Sequence, residues 1–203
     1  MLPRMEEPDE SWIRAQVKAE IRTRRLATRR ALPREANEKR SRAICERIMA
    51  LPEWERARTV LTFVSMPREV QTRVAVEAAW TAGKQIATTR LSRSDPGALE
   101  LCEWTRDTPL EESGMMFLQP PRESPLVADD AIDLVLVPAL AVDARGHRIG
   151  FGKGFYDRLL PRLTNAFRVA VAFDFEQIAE VPNVETDAPV HAIVTDEKVL
   201  RVE

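Results

Sequence analysis

The segment with the clearest chemical potential is the glycine-rich stretch GHRIGFGKGFYD, residues 146–157. It holds four of the chain's seven glycines within nine positions, with Arg148 and Lys153 among them. Glycine lets successive peptide units turn their N–H groups toward one point, where they can bind an anion. The two cations would neutralise a phosphate held there, and a helix starting after the loop would add favourable charge. The stretch predicts a phosphate-binding loop.

The spacing of this loop matches neither of two common nucleotide-binding motifs. A P-loop needs a glycine five positions before Gly152 and a serine or threonine after Lys153, and this chain has neither. A Rossmann fingerprint needs a third glycine where Phe155 stands. A surface hairpin without a ligand is the alternative interpretation of the glycines alone. The apolar strand that leads into the loop, and the charged residues around it, favour phosphate binding.

The elements that must position the loop alternate between strands and helices. Residues 133–142, DLVLVPALAV, form a continuous apolar run that is typical of a strand covered on both faces of a parallel sheet. Further strands are expected at 59–64, 85–89, 98–104 (an edge strand), 168–173 and 191–196. Helices are expected at 11–31, entered through a Ser11 cap, and at 34–50, 72–82 and 155–163. Residues 105–125 are rich in proline, glycine and charge and predict a long irregular connection.

The basic N-terminal segment opens a second class of function. Residues 11–42 contain eleven Lys or Arg against three Glu, although the net charge of the whole chain is only -2. An RNA-binding module could use such a surface, but Trp12 is the one aromatic residue in the segment, and no stacking platform for bases is recognisable. Lys18 and Arg22 are four residues apart and would share one helix face, either toward phosphates or simply toward solvent.

The composition argues against several other classes. Cys45 and Cys102 lack CxxC spacing and nearby histidines, so buried reduced thiols are expected rather than disulfides or a zinc site. With two histidines in all, no convincing Ser/His/Asp or Cys/His set is present. The N-terminus lacks an apolar signal region, and the longest apolar run, 134–142, is too short to cross a membrane. A soluble cytoplasmic protein without nucleic-acid or membrane partners is expected.

The segment LVLVPALAVDARGHRIGFGKGFYDRLL resembles the signature of the 5-formyltetrahydrofolate cyclo-ligase family, also called 5,10-methenyltetrahydrofolate synthetases. Four further segments fall in the family's order and spacing: KAEIR (18–22), FVSMPREVQT (63–72), FLQP (117–120) and VTD (194–196). The resemblance implies a Rossmann-like α/β fold, with three α/β/α layers and a mostly parallel central sheet. We expect a single domain over residues 1–203, with a basic helical segment at about 11–50, and a monomer.

The resemblance also implies an activity: ATP- and magnesium-dependent conversion of 5-formyltetrahydrofolate to 5,10-methenyltetrahydrofolate, with release of ADP and phosphate. A formamide oxygen leaves poorly, so phosphorylation must first activate it, after which the nitrogen at position 10 of the same folate closes the ring. This chemistry needs no protein nucleophile. The alternative is a non-catalytic protein of the same fold that binds nucleotide or folate.

For the nucleotide, the resemblance implies contacts by Lys18, Arg22 and the loop residues Arg148, Ile149, Gly150, Phe151, Gly152, Lys153, Gly154, Phe155 and Tyr156. Arg148 and Lys153 would stabilise charge during phosphoryl transfer. Asp157 and Asp187 match the family's magnesium positions. The alternatives are a helix N-terminal acid at Asp157 and a loop carboxylate at Asp187.

For the folate, the resemblance implies Val64 and Glu69, whose carboxylate would accept hydrogen bonds from the pterin N–H groups, with Phe151 and Phe155 as apolar walls. The alternatives are an exposed turn glutamate and two core phenylalanines.

Four positions depart from the family pattern: Ala139 for glycine, Phe155 for tyrosine, Thr89 for proline and His191 for aspartate. Phe155 cannot make a hydrogen bond that a tyrosine would make. His191 is either a satisfied strand residue or a switch.

Overall fold

The computed structural model describes residues 10–115, 117–184 and 186–202. The helices are α1 (Glu10–Ala31), α2 (Arg34–Met49), α3 (Pro52–Arg56), α4 (Arg73–Thr81) and α5 (Phe155–Leu159). The strands are β1 (Thr59–Leu61), β2 (Gln85–Leu91), β3 (Leu99–Glu103), β4 (Glu111–Glu112), β5 (Leu118–Gln119), β6 (Leu134–Pro138), β7 (Ala141–Val142), β8 (Arg148–Ile149), β9 (Phe167–Val171), β10 (Ala192–Val194) and β11 (Val199–Arg201). Short 3-10 turns occupy Asp129–Ala131, Leu160–Arg162 and Asp174–Glu176.

Seven strands form one mixed sheet in the order β11-β10-β9-β6-β1-β2-β3. The five inner strands run parallel, whereas β3 and β11 close the two edges in antiparallel pairs. The expected mostly parallel sheet is confirmed, and so is the edge position of the strand expected at 98–104. Parallel strands place their carboxyl ends at one edge of the sheet, where ligands bind in open α/β folds.

The sheet is buried on both faces, as the apolar run at its centre predicts. Along β6, Leu134 and Leu136 belong to the core shared with α2 and α4, whereas Val135 and Val137 face the opposite core. That second core is closed by the end of α5 and the turn after it, which contribute the buried leucines Leu159, Leu160 and Leu163. Helical layers on both faces confirm the three-layer α/β/α architecture.

Two expected elements are interrupted at proline. The strand expected over 133–142 ends at Pro138, and Ala141–Val142 instead pairs with Arg148–Ile149 in a separate antiparallel hairpin. The helix expected over 155–163 becomes a 3-10 turn after Leu159, because Pro161 has no N–H to continue the ladder. The early end of β6 matters for function, because the glycine loop then begins in the separate β7–β8 hairpin and not in the central sheet.

Other boundaries differ from the expectations by smaller amounts. The strand expected at 59–64 ends at Leu61. The structure describes α1 from Glu10, one residue before the expected cap. The connection over 105–125 contains the small hairpin of β4 and β5.

Cys45 and Cys102 are free and buried, and burial raises the pKa of both thiols, in agreement with the sequence. No helix in the described ranges is long and apolar enough to cross a membrane.

Candidate active site

A cavity of about 1130 Å³ opens at the carboxyl ends of β1 and β6, where Phe63, Val64 and Pro138 contribute to its wall. All the residues that the sequence proposes for the site line this one cavity: Lys18, Arg22, Val64, Glu69, Arg148, Ile149, Gly150, Phe151, Gly152, Lys153, Gly154, Phe155, Tyr156, Asp157 and Asp187. Helix α1, the β1–α4 connection, the glycine loop and the loop before β10 therefore converge on one space.

The glycine loop depends on backbone shapes that other residues adopt at a cost. Gly152 has a φ of 92° and Gly154 a φ of 64°, both in the left-handed region. A Cβ atom at Gly152 would also lie only 3.2 Å from the guanidinium carbon of Arg22. Arg22 Nε donates to the carbonyl of Gly150 at 2.9 Å, so α1 holds the loop directly. Since α5 has only five residues, the expected contribution of its dipole is small.

The proposed phosphate cations and metal ligands are paired with one another. Lys18 Nζ lies 2.5 Å from Asp187 Oδ2, and both side chains are largely buried, at 13% and 12% exposure. Arg148 Nη1 lies 3.0 Å from Asp157 Oδ1 and also donates to the carbonyl of Ala188 at 3.1 Å. These pairs keep the charged groups compensated within the cavity.

Arg22 lies within the electrostatic influence of both carboxylates. Burial lowers the pKa of its guanidinium, while Asp187 and Asp157 oppose that shift. Because a guanidinium stays charged at neutral pH, Arg22 adds a third cation to the cavity.

Lys153 differs from these cations in being exposed. In the described part of the chain it forms no ion pair, so its ammonium is available to a ligand. Its carbonyl accepts a hydrogen bond from Arg158 Nη2 at 2.8 Å, and Arg158 Nε donates to Gly97 at 2.7 Å. The guanidinium of Arg158 also lies 5.6 Å from the ring centre of Phe155. Arg158 thus holds the loop in place, a role that no motif in the sequence predicts.

The carboxylates at Asp157 and Asp187 fit a magnesium ion that shares phosphate oxygens. Hard Mg²⁺ ions bind through one or two carboxylates plus phosphate oxygens and water. Within the described ranges no three His, Cys, Asp or Glu side chains cluster as a metal site. Both carboxylates line the cavity, and two carboxylates completed by phosphate oxygens and water form a donor set that Mg²⁺ accepts.

Glu69 is buried, at 4% exposure, so the alternative of an exposed turn glutamate is wrong. Its Oε2 accepts the N–H of Met66 at 2.7 Å. Burial raises the pKa of Glu69 to about 7, although the Met66 N–H and the charge of Arg29 both oppose this shift. The side chain therefore changes charge near neutral pH.

The neighbouring Arg68 fixes the turn that presents Glu69. It has a φ of 73°, and its Nη1 donates to the carbonyls of Arg30 and Leu32 at 2.5 and 3.0 Å, at the end of α1. The folate-side turn is thereby fastened to the helix that bears Lys18 and Arg22.

Apolar side chains form much of the remaining wall. Phe151 is 40% exposed at the cavity, and Phe155 is half-buried beside it. The long connection 105–125, which the sequence could not place, adds Met115, Phe117 and Leu118. Its signals in the sequence are the apolar run MMFL inside an otherwise polar loop and the FLQP segment that matches the family pattern.

The model of the 5-formyltetrahydrofolate cyclo-ligase family matches residues 14–196. The chain belongs to this family. It is therefore an enzyme of the ligase class, and the resemblance seen in the glycine segment extends over nearly the whole sequence.

Relatives in the family share this similarity over most of their length. A probable 5-formyltetrahydrofolate cyclo-ligase of Schizosaccharomyces pombe is 31% identical over 176 residues, which cover 78% of this chain and 85% of the relative. The 5-formyltetrahydrofolate cyclo-ligase of Escherichia coli K12 is 29% identical over 174 residues, or 84% and 96% of the two chains. The solved 5,10-methenyltetrahydrofolate synthetase of Aquifex aeolicus superposes with a TM-score of 0.81 at 27% identity, over 92% and 93% of the chains.

The structure shows the contacts of three positions that depart from the family pattern, Ala139, Thr89 and His191. The carbonyl of Ala139 accepts from buried Arg29 at 2.6 Å, and Thr89 lines the cavity. His191 Nδ1 accepts the N–H of Arg168 at 3.0 Å, while burial, with the charge of Arg168, lowers the pKa of its ring. A neutral imidazole that accepts this hydrogen bond favours a satisfied residue over a switch, although His191 lies just before β10 rather than in it.

Proposed function

We propose that this enzyme converts 5-formyltetrahydrofolate to 5,10-methenyltetrahydrofolate with consumption of ATP, as a cytoplasmic monomer. One observation carries the proposal. The cations of the glycine loop and α1 line the same cavity as buried Glu69 and its apolar walls. A triphosphate and a pterin could therefore lie side by side, with the reacting groups between them.

The first step asks the protein to stabilise charge on a phosphoryl group in transfer. The formyl oxygen forms a bond to the terminal phosphorus of ATP while the bond from that phosphorus to ADP breaks. Arg148 lies at the base of the loop and exposed Lys153 at its tip, so both can approach the oxygens of the transferring group. Lys18 and Arg22 would hold the remaining phosphates from the opposite wall.

The second step occurs within one bound folate. The nitrogen at position 10 forms a bond to the activated formyl carbon and loses its proton, and the carbon–oxygen bond breaks as phosphate leaves. Holding both groups in one cavity replaces a second molecular encounter. Phe151, Phe155 and the apolar wall would exclude water from the phosphorylated formyl group.

Asp157 and Asp187 would hold the magnesium ion, which when bound neutralises phosphate charge. Binding would require Asp157 and Asp187 to share their charge between the metal and their partners Arg148 and Lys18.

The proposal is tested by following the absorbance of the methenyl product. Purified protein with ATP, Mg²⁺ and 5-formyltetrahydrofolate should generate the chromophore in proportion to enzyme, and reactions without ATP should not. Saturable binding of folate or nucleotide without any chromophore at ample enzyme would instead identify a non-catalytic binding protein.

A further inference from the structure

Tyr156 is the only tyrosine in the chain, and among the described residues its hydroxyl has no hydrogen-bond partner. The ring packs against the core formed by the α5 side of the sheet, while the residue also lines the cavity. The hydroxyl oxygen is buried. A buried hydroxyl without a partner is unfavourable, so native proteins rarely keep one without a reason.

The two charged groups that act most strongly on this hydroxyl are Glu69 and Arg148. Burial and the charge of Glu69 raise the pKa of Tyr156, while Arg148 opposes them. A phenol is protonated at neutral pH and can donate a hydrogen bond. Glu69 and Arg148 line the same cavity as Tyr156.

Glu69 offers the complementary acceptor. Its Oε2 is taken by the N–H of Met66, whereas within the described residues its second oxygen, Oε1, accepts no hydrogen bond. Both Glu69 and Tyr156 thus hold unused hydrogen-bonding capacity at the wall of the same cavity.

This pair matches one edge of a reduced pterin ring. That edge presents an amino group and a ring N–H, which donate, followed at once by a carbonyl oxygen at position 4, which accepts. We infer that the Tyr156 hydroxyl donates a hydrogen bond to the 4-oxo group of the folate while Glu69 accepts from the adjacent N–H. Tyr156 is then a specificity residue for the folate rather than part of the nucleotide site. The inference rests on the proposed function for the identity of the ligand.

A single tyrosine allows a direct measurement. Protein labelled with 3-fluorotyrosine gives one ¹⁹F resonance in the NMR spectrum, from position 156. Adding 5-formyltetrahydrofolate should shift this resonance, whereas a non-hydrolysable ATP analogue with Mg²⁺ should leave it nearly unchanged. A resonance that responds to the nucleotide and not to the folate overturns the inference.

Tyr156→Phe removes only the hydroxyl and tests which ligand atom it contacts. The dissociation constant of 5-formyltetrahydrofolate should rise about tenfold, the effect of one hydrogen bond of ordinary strength. The constant for the matching 4-amino analogue, which lacks the carbonyl acceptor, should change less than about twofold. Equal effects on the two ligands, or no effect on either, contradict the assignment to the 4-oxo group.

Thr88→Val is the matched control, because Thr88 carries another buried hydroxyl without a partner but does not line the cavity. Both variants should unfold at a urea concentration no lower than the wild type, and only Tyr156→Phe should change folate binding.

These measurements separate the inference from the activity. If wild-type protein binds folate, shifts the ¹⁹F resonance and makes no methenyl product, the activity fails and the role of Tyr156 stands. If wild-type protein makes product but Tyr156→Phe binds both folates normally, the role of Tyr156 fails alone. If calorimetry detects no binding of folate to the wild-type protein, the proposed activity and the role of Tyr156 are both wrong.

Discussion

Arg148 and Lys153 carry the same charge in the same loop but have different structural attachments. Arg148 is buried, bound to Asp157 and to the carbonyl of Ala188. Lys153 is exposed, and in the described ranges it has no carboxylate partner. Replacing Lys153 should therefore affect catalysis alone, whereas replacing Arg148 should affect both catalysis and stability.

Lys153→Ala should lower kcat about 10²–10³-fold, as expected for loss of one preorganised charge at the transition state, with little change in unfolding free energy. Arg148→Ala should lower kcat similarly and also destabilise the fold, because Asp157 and the Ala188 carbonyl lose their donor. Steady-state kinetics and urea denaturation measure the two effects. Lys39→Ala, an exposed lysine on α2, is the control; unchanged kcat in both loop variants would exclude their proposed roles.

Glu69 should make stability depend on pH. Its pKa is about 7 in the folded protein and 4.5 ordinarily, so between these values the folded state binds more protons than the unfolded state. Stability from this group is therefore present at low pH and is lost as pH rises toward 7. Relative to Glu69→Gln, the wild type should lose roughly 1–3 kcal/mol of unfolding free energy between about pH 5 and pH 8. Parallel urea-denaturation profiles for the two proteins would contradict the burial of an ionisable group here.

The sequence identified the individual charged residues of the site but not the ion pairs that they form. The family resemblance located Lys18, Asp157 and Asp187, yet Lys18 and Asp187 pair across 169 positions of the chain. The burial of Glu69 was likewise hidden, since a glutamate after a proline and an arginine is typical of an exposed turn.

Among the elements, α1 has a fully buried ion pair near its end. Arg29 is 3% exposed, and its Nε and Nη2 bind Oε1 and Oε2 of Glu176 at 2.6 and 2.9 Å. The same Nη2 donates to Ala139 just after β6. This contact holds the strongly basic helix α1 against the sheet. The helix buries little apolar surface, since Arg29 is the one fully buried residue among its described positions.

Arg29→Met should cost about 3–5 kcal/mol of unfolding free energy, because Glu176 would remain buried without its partner. The double variant Arg29→Met with Glu176→Leu should recover most of that loss, since neither charge then remains. Urea denaturation of the single and double variants measures this coupling. Losses that simply add would show that the pair contributes nothing beyond its separate side chains.

Element types were largely readable from periodicity, whereas their ends depended on proline and on tertiary contacts. The apolar pattern of 133–142 is continuous, yet the chain turns at Pro138 and Ala139, where Arg29 binds the carbonyl. Pro138 is the one local signal for the turn. The arginine that binds the next carbonyl stands more than a hundred residues earlier.

For the whole molecule, the alternation of strands and helices and the apolar central strand predicted a parallel sheet in an α/β fold, and the family resemblance implied its three layers. The cavity itself was not predictable, because its wall combines α1, the glycine loop and the 105–125 connection. A single domain over residues 1–203 and a monomeric state stay predictions.

The hydrogen bonds of Arg68 have a consequence for how the two substrates meet. Arg68 binds the carbonyls at the end of the helix that is proposed to contact the triphosphate, and the next residue, Glu69, is proposed to contact the pterin. If binding of one substrate shifts that turn, helix α1 would carry the shift to the residues that contact the other substrate. Affinities for the two substrates should therefore be thermodynamically linked, each altering the other by the same factor.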